Sequence, residues 1–329
     1  MAQPRAAVVY HPDKATGPRW RRVMNREERR AGWEPSIWVP TQANDTAETL
    51  RSRLVEAGGE HAEVVIAAGG DGTVRLTAEV LAGTEQPLGL WPIGSTNLFA
   101  RNVGLPVLDQ IASLRAALTG ADRRVDTGRL TADLADGQRL HRTFLVLAGF
   151  GVDAQMVVHT SAEAKEYLGW LAYVAGVTRG MTRSDRIDVT YSLDGDPPQD
   201  ARLLTLAIAN GGALPAGLVL LPDAEVDDGE LDLLLLHADD AKGWREVASW
   251  FLQENGAVRR LRRKHGHRRP LRTGAAVLVR RTRDVRLTLR HPEHFQVDGE
   301  YLGQVVRLRA QVDHGSLLVR VPAKPVRQT

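Results

Sequence analysis

Short apolar runs alternate with amphipathic segments over the first 120 residues of the chain. Four apolar runs have the length of strands, at residues 6–10, 36–39, 64–68 and 88–91. Residues 46–57 and 107–118 place apolar side chains on one face of a helix, and Asp45 and Glu48 have the spacing of a capping box. Strands separated by helices predict parallel pairing and an α/β layer structure.

Beyond about residue 122 the pattern changes to strand-length runs separated by turn residues. The predicted strands are residues 124–130, 143–148, 186–193, 203–209, 217–221, 231–237, 275–279, 285–290, 305–312 and 316–321. Helical segments at 167–178 and 242–254 interrupt the series. We therefore predict two domains, an α/β nucleotide-binding domain over residues 1–122 and a β-sandwich domain over residues 123–329.

Composition excludes several classes of chemistry. The chain has no cysteine, so disulfides, thiolate zinc sites, iron–sulfur clusters and cysteine nucleophiles are excluded. No run reaches the roughly 20 apolar residues that span a bilayer, and the first apolar run is too short for a secretory signal. These features predict a cytoplasmic protein.

The net charge of +3 conceals one strongly basic segment, which begins at Arg259 and ends at Arg290. It holds 13 Lys or Arg residues and one acidic residue, so its charge is +12 and that of the remaining chain is −9. Such a segment suits an anionic membrane surface, whereas a solvated arginine-rich loop is the simpler alternative. It contains no Phe, Tyr or Trp to stack on bases, which argues against nucleic acid.

A glycine-rich segment follows the third predicted strand, with the sequence Gly69-Gly70-Asp71-Gly72-Thr73. Glycines let a phosphate approach the backbone closely, and the following helix supplies free N–H groups. The segment has neither the third glycine of a dinucleotide-binding fingerprint nor the lysine of a Walker loop. It predicts a phosphate site, with a tight strand-to-helix turn as the alternative.

A second polar loop, residues 92–101, follows the next strand in the same arrangement. Ser95, Thr96 and Asn97 offer hydroxyl and amide groups, and one of them is expected to cap the helix that follows. Capping explains one of these side chains and leaves the others for a ligand.

These two loops resemble the catalytic domain shared by diacylglycerol kinases, sphingosine kinases and bacterial lipid kinases. The motif GGDG alone also occurs in NAD kinases and phosphofructokinases, so the resemblance rests on an ordered set of motifs. The set comprises GGDGT at 69–73, PIGSTNLFAR at 92–101, RVDTG at 124–128, AGFGVDA at 148–154, ANG at 209–211, the acidic segment 222–231 and VDGE at 297–300.

The resemblance implies an α/β domain and a β-sandwich domain with ATP in the cleft between them. It also implies transfer of the γ-phosphoryl group to a lipid hydroxyl. The residues that the resemblance assigns to nucleotide binding are Thr41, Gly69, Gly70, Asp71, Gly72, Thr73, Ser95 and Asn97. Arg75 stands where this family commonly has Asn, and it is a candidate for altering nucleotide preference.

The Asp298-Gly299-Glu300 segment holds the carboxylates expected to carry the chemistry. On an extended segment, residues two apart project to the same side, so both carboxylates can flank one hydroxyl. A lipid alcohol must lose its proton during attack, and a carboxylate can accept it. By resemblance Asp298 is the base and Glu300 assists it, with Asp71 near a metal or the acceptor. Asp-Gly is also a common hairpin-turn signal.

Six acidic residues lie between Asp223 and Asp232, a density of oxygen ligands that suits Mg²⁺. By resemblance a structural Mg²⁺ uses the carboxylate of Asp228 and the backbone carbonyls of Glu225 and Glu230. A solvated turn at Asp-Asp-Gly is the alternative. A separate catalytic Mg²⁺ is expected to arrive with ATP.

Together these features predict an ATP- and Mg²⁺-dependent lipid kinase that acts on diacylglycerol or a similar lipid alcohol. We expect it to contact an anionic membrane peripherally and to bind no nucleic acid. The alternatives are an NAD kinase-like enzyme and a catalytically silent lipid- or nucleotide-binding regulator. The sequence leaves the acceptor lipid and the oligomeric state open, and a homodimer is one alternative.

Overall fold

The computed structural model describes residues 3–15, 17–150, 186–214, 219–237, 242–243, 245–247, 249–250, 274 and 276–323. The chain forms two compact units. Unit 1 comprises Met1–Thr127 and His314–Thr329, and unit 2 comprises Gly128–Asp313. In the described residues, no helix is long and apolar enough to cross a membrane.

Unit 1 is built on a parallel sheet in the order β2-β1-β3-β4. The strands are β1 (Arg5–Tyr10), β2 (Glu34–Pro40), β3 (Val64–Gly69) and β4 (Leu88–Pro92). Every residue of β3 is buried, so both faces of the sheet are covered. The α-helices are α1 (Pro12–Ala15), α2 (Pro18–Ala31), α3 (Ala47–Glu56), α4 (Asp71–Leu81), α5 (Leu98–Asn102) and α6 (Gln110–Thr119), and a 3₁₀ turn spans Gly59–His61.

The helix starts differ from those that the pattern predicts. Helix α3 is capped one residue later than expected, because Thr46 accepts the Thr49 amide at 3.2 Å while the Thr49 hydroxyl accepts the Thr46 amide. The predicted cap, Asp45, instead accepts the amide of Gln42 at 2.7 Å. Helix α6 begins after Asp109, whose carboxylate accepts two amides of its first turn. The sequence pattern did not predict α2.

Unit 2 is antiparallel throughout its described strand pairs. Strands β12, β11, β10, β7 and β13 are consecutive neighbours, and β13 also pairs with β8 and β14. Hairpins join β5 to β6 and β8 to β9. The strands are β5 (Ala121–Leu134), β6 (Arg139–Phe144), β7 (Leu147–Phe150), β8 (Ile187–Leu193), β9 (Gln199–Leu203), β10 (Thr205–Ala209), β11 (Leu231–Leu236), β12 (Val277–Thr282), β13 (Asp284–Val297) and β14 (Glu300–Val321).

Two hydrophobic cores lie on opposite faces of the β10–β11 pair. Leu206, Ile208 and Leu233 belong to one core, whereas Ala207 and Leu234 belong to the other. Side chains alternate along a strand, so a strand buried on both faces carries a continuous apolar run, as β11 does. A sheet of a simple β-sandwich is buried on one face only, so the second core shows that further residues, including Leu221 and Val247, cover the other face of the β10–β11 pair.

The end of the chain returns to unit 1. The predicted strands 305–312 and 316–321 form one continuous strand, β14, and its Val319 pairs in parallel with Leu88 of β4. Leu317 and Val319 are fully buried, and Arg320 pairs with Asp122 at 2.7 Å. The division predicted at residue 122 therefore differs from the observed units, because residues 314–323 pack with the first unit.

Candidate active site

The predicted nucleotide residues lie where the parallel strands of unit 1 end. The glycine segment directly follows β3, the loop 92–101 follows β4, and Thr41 follows β2. Strands that run in parallel end at the same edge of the sheet, which is the usual ligand edge of an α/β fold. The amides of Ile93 and Gly94 both donate to the Gly69 carbonyl at 3.1 Å, so the two loops are in direct contact.

Asp71 binds the second loop through its carboxylate. Its Oδ1 accepts the amide of Leu98 at 2.6 Å, and Leu98 is the first residue of α5. Asp71 therefore caps a helix 27 residues away in the sequence. The expectation that Ser95, Thr96 or Asn97 caps this helix is wrong, because Asn97 at the cap position makes no side-chain cap bond.

Two glycines of these loops have no room for a side chain, and Gly94 is the one at which the two loops approach each other. A Cβ atom at Gly94 would lie 2.5 Å from the Cα of Gly70, and one at Gly69 would lie 2.5 Å from the Thr73 hydroxyl. A Cβ atom at Gly72 would meet no atom within 4 Å beyond its chain neighbours and the backbone of its own helix. Close packing within the protein thus explains why residues 69 and 94 are glycines, whereas the space around Gly72 leaves room for a ligand.

Asn97 carries an unsatisfied polar atom beside these glycines. Its backbone has a positive φ of 48°, and its side-chain amide donates to the Gly94 carbonyl at 2.6 Å. The Oδ1 atom is buried and has no hydrogen-bond partner in the structure. Buried polar atoms are normally paired, so this oxygen is a candidate ligand contact. Ser95 is exposed in the same loop.

Thr41 and Arg75 are held by neighbouring residues of unit 1. Thr41 is buried, and its hydroxyl donates to the Tyr10 carbonyl at 3.3 Å. Arg75 is buried along α4 and pairs with Glu79 at 3.3 Å, which accounts for its charge within the helix.

Lys14 is a residue at this edge that sequence reasoning missed. A Cβ atom at Gly70 would lie 3.1 Å from the Lys14 ammonium nitrogen, so this cation lies against the glycine segment. The available signal was its position in the first turn after β1, one of the parallel strands whose ends form the edge.

In unit 2, the Asp298-Gly299 segment is a tight turn. Val297 pairs with Glu300, and the two residues between them have φ values of +48° and +82°, the pattern of a type I′ hairpin. The expectation of an extended segment is therefore wrong, because β13 ends before Asp298 and β14 begins after Gly299. The alternation of an extended strand does not place the two carboxylates on one side.

The Asp298 carboxylate is fixed by a loop that is distant in sequence. Oδ2 accepts the amide of Leu145 at 2.7 Å, and Oδ1 accepts the amides of Val146 and Leu147 at 2.9 Å each. Asn210 donates to the Leu145 carbonyl at 3.1 Å from the other side. The VDGE motif at 297–300 and the ANG motif at 209–211 thus both contact residues 145–147. The three amide donors stabilise the negative charge of Asp298. Glu300 is exposed.

The acidic segment of unit 2 contains buried carboxylates. Asp228 Oδ1 accepts the Glu230 amide at 3.1 Å, whereas Oδ2 is buried without a partner in the structure. Burial raises the pKa of Asp228, and it raises that of Asp232 to about 6. The Arg281 guanidinium lies 3.5 Å from Asp232 and opposes both shifts.

These features fit one cation beside Asp228. In the described part of the chain, no three carboxylate or imidazole side chains converge on one point. A cation would therefore use the unpaired Asp228 oxygen together with backbone carbonyls, such as those of Glu225 and Glu230. This agrees in kind with the hard oxygen ligands that Mg²⁺ prefers.

Several predicted features lie wholly or partly outside the described residues, among them the predicted helix 242–254 and the predicted strands 217–221 and 275–279. Residues 151–154 of the AGFGVDA motif and the predicted helix 167–178 lie there. So does the part of the basic segment that runs from 259 to 273.

Comparison with known proteins follows the same two-part division. Residues 5–130 match the diacylglycerol kinase catalytic domain, and residues 146–248 match the YegS C-terminal NAD kinase β-sandwich-like domain. A crystal structure of a diacylglycerol kinase from Bacillus anthracis str. Sterne superimposes with a TM-score of 0.66 and 15% identity, covering 99% of this chain and 100% of that chain. The predicted α/β and β-sandwich fold class is thereby confirmed.

Curated relatives define the family more narrowly. A "Probable lipid kinase YegS-like" from Pseudomonas syringae pv. syringae (strain B728a) is 33% identical over 242 residues, which are 72% of this chain and 73% of that protein. A protein of the same description from Pseudomonas putida is 34% identical over 238 residues, 71% of this chain and 74% of that protein. The chain belongs to the YegS-like lipid kinase family, which confirms the resemblance seen in its motifs.

Proposed function

We propose that the protein transfers the γ-phosphoryl group of ATP, with Mg²⁺, to the hydroxyl of diacylglycerol or a similar lipid alcohol. The observation that carries this proposal is the joined pair of glycine loops in unit 1. Asp71 holds the loops together, and the backbone between them lacks side chains that would block a phosphate. Membership of the lipid kinase family supports a lipid as acceptor.

In this proposal the residues of unit 1 bind the nucleotide phosphates. The backbone at the half-buried Gly70 and the exposed Gly72, together with the first amides of α4, faces the anion, where the helix dipole favours negative charge. Lys14 adds a cation beside Gly70, and the Asn97 Oδ1 atom accepts a hydrogen bond from the nucleotide. Mg²⁺ bound with ATP supplies charge neutralisation of the phosphates.

In unit 2 we assign the proton acceptor to Asp298 and an assisting carboxylate to Glu300. The three amides around Asp298 hold its carboxylate in one orientation, which general-base catalysis requires. The turn places the exposed Glu300 directly after Gly299. A structural Mg²⁺ beside Asp228 would neutralise part of the acidic segment that leads into β11.

Radiolabel transfer from γ-labelled ATP tests the proposal. Mixed micelles would present diacylglycerol, monoacylglycerol, sphingosine, ceramide, phosphatidylglycerol and undecaprenol, with NAD as a soluble acceptor and Glu300→Gln beside the wild type. Label on diacylglycerol that falls at least about 100-fold in Glu300→Gln supports the proposal. Label on NAD alone, or ATP binding without transfer to any acceptor, contradicts it and favours the NAD kinase-like enzyme or the silent regulator.

A further inference from the structure

The outer face of helix α2 carries a stripe of five exposed arginines: Arg19, Arg22, Arg26, Arg29 and Arg30. These positions lie three, seven, ten and eleven residues after the first. At 100° per residue they fall within an arc of about 100°, and the stripe is about 16 Å long. The arginines therefore form one narrow cationic surface, which we call the arginine stripe.

The acidic residues of α2 neutralise only part of the arginine stripe. Glu27 and Glu28 are the acidic residues of the helix, and both are buried. Glu28 accepts the Ser36 amide at 2.8 Å, and Glu27 binds Arg26, Arg30 and, at 2.7 Å, Arg115 of α6. Two of the five stripe arginines, Arg26 and Arg30, thus share the Glu27 carboxylate. Arg19, Arg22 and Arg29 are exposed and form no ion pair with either glutamate of the helix.

Helix stability does not account for the stripe. Like charges three or four residues apart destabilise a helix, and the stripe contains several such pairs. Helix α3, by comparison, alternates the exposed charges Glu48, Arg51 and Glu56. A concentrated cationic face that weakens its own helix indicates an anionic partner.

We propose that the arginine stripe docks the protein on an anionic phospholipid bilayer. The inference rests on the proposed function, because the substrate of a lipid kinase lies in a membrane. Guanidinium groups bind phosphate oxygens in bidentate fashion, and an extended flat stripe matches a plane of phosphate headgroups. In the sequence, the stripe is separate from the basic segment between Arg259 and Arg290.

The mode of docking is electrostatic. Among the described residues, the exposed large apolar side chains are Val55, Leu108 and Tyr301, none of which lies on α2. One face of the Trp20 ring carries Arg19 at 5.5 Å, and one face of the Trp38 ring carries Arg21 at 4.7 Å. Binding should therefore depend on salt and on anionic lipid.

Vesicle sedimentation tests the proposal with the full chain. The vesicles contain phosphatidylcholine alone or an equal mixture with phosphatidylglycerol, at 0.1 M and 0.5 M salt. The variant Arg19→Gln/Arg22→Gln/Arg29→Gln leaves the partners of Glu27 in place. We expect the wild type to bind the anionic vesicles at low salt and the variant to bind them at least about tenfold more weakly.

A matched control removes the same charge elsewhere. Arg129, Arg202 and Arg286 of unit 2 have side chains that are 63%, 58% and 59% exposed. Their triple replacement by Gln should leave vesicle binding within about twofold of the wild type. Equal losses in both triple variants, no loss in the α2 variant, or wild-type binding to a DNA duplex but not to vesicles would each overturn the proposal.

Kinase activity on short-chain diacylglycerol in neutral detergent micelles separates the two proposals. If the α2 variant keeps wild-type activity in micelles and loses vesicle binding, the docking proposal is supported. If the wild type phosphorylates no lipid but still binds vesicles through α2, the kinase proposal fails while the docking surface stands. If the α2 variant loses activity in micelles as well, the stripe does not act through membrane docking.

Discussion

Asp298 is both a proposed base and the acceptor of three backbone hydrogen bonds, so its replacement tests two roles at once. In Asp298→Asn, the amide oxygen can still accept from Val146 and Leu147, but the new NH₂ group faces the Leu145 amide at 2.7 Å. Two donors then oppose each other. We expect the free energy of unfolding to fall by about 2 kcal/mol, measured by chemical denaturation.

Glu300→Gln provides the control that Asp298→Asn lacks. Glu300 is exposed, so the Glu300→Gln protein should have a free energy of unfolding within about 0.5 kcal/mol of the wild type. A kinase assay at a temperature where both variants are folded then isolates the chemistry. Asp298→Asn with wild-type stability would mean that the three amide bonds contribute nothing to the fold.

The unpaired oxygen of Asp228 makes metal binding testable by stability. Mg²⁺ should raise the melting temperature of the wild type by several degrees, because the cation compensates a buried carboxylate. In Asp228→Asn the same Mg²⁺ concentration should produce no such increase. Differential scanning calorimetry without nucleotide gives the measurement, and an equal increase in both proteins would refute the site.

At the scale of the elements, alanine substitutions at two glycines separate two effects. One affects the packing of the two loops, and the other affects the access of a ligand to the backbone. Gly94→Ala pushes the loops apart, because its Cβ would lie 2.5 Å from Gly70 Cα, so both stability and ATP affinity should fall. The methyl group of Gly72→Ala would meet no atom within 4 Å beyond its chain neighbours and the backbone of its own helix. It should keep the wild-type melting temperature yet weaken ATP at least about tenfold by calorimetric titration. If Gly72→Ala binds ATP with unchanged affinity, the phosphates do not bind beside the start of α4.

Helices α2 and α6 are connected by the buried carboxylate of Glu27. The hydrogen bond from Arg115 is the main cause that lowers the pKa of Glu27. A lowered folded-state pKa means that the ionised form stabilises the fold above the unfolded pKa of about 4.3, and that this contribution is lost as the pH falls through the folded value.

Glu27→Gln should therefore destabilise the protein by about 1–2 kcal/mol at pH 7, a modest figure because the arginine partners are exposed. Below pH 4, the difference in free energy of unfolding between Glu27→Gln and the wild type should become smaller. Urea unfolding at several pH values measures this, with the exposed Glu56→Gln as a surface control. A difference that stays constant with pH would show that the charge of Glu27 is not involved.

At the scale of the whole molecule, the last described residues complete the first unit. Ending the chain at Asp313 removes the buried Leu317 and Val319 and the Arg320–Asp122 pair. The loss of about 5 kcal/mol is comparable to the total stability of a domain, so unit 1 should unfold and ATP binding should disappear.

Ending the chain after Ala323 keeps every contact described for β14, and this shorter truncation should melt like the wild type. Circular dichroism and ATP titration compare the two truncations. A protein ending at Asp313 that still binds ATP would show that the returning strand is dispensable.

Local sequence patterns were sufficient to predict the strands of unit 1 that lead into the glycine loops. Strands β1, β3 and β4 follow from short apolar runs, and the two loops follow from residue types that favour turns and phosphate contacts. The same reasoning missed α2, because six arginines in 14 residues obscure the apolar spacing of Met24. It also placed the cap of α3 one residue early, where Asp45 and Thr46 compete for the same role.

The sequence by itself predicts the alternation of strands and helices, the phosphate-binding loops and the family. Each of these depends on residues within a few positions of one another and on which side chains avoid water. Folding alone brings together groups that are far apart in sequence. Asp298 meets amides about 150 residues earlier, Asp71 caps a helix beyond the next strand, and β14 returns to β4. Such pairings depend on long-range burial and hydrogen bonding, which no local spacing records.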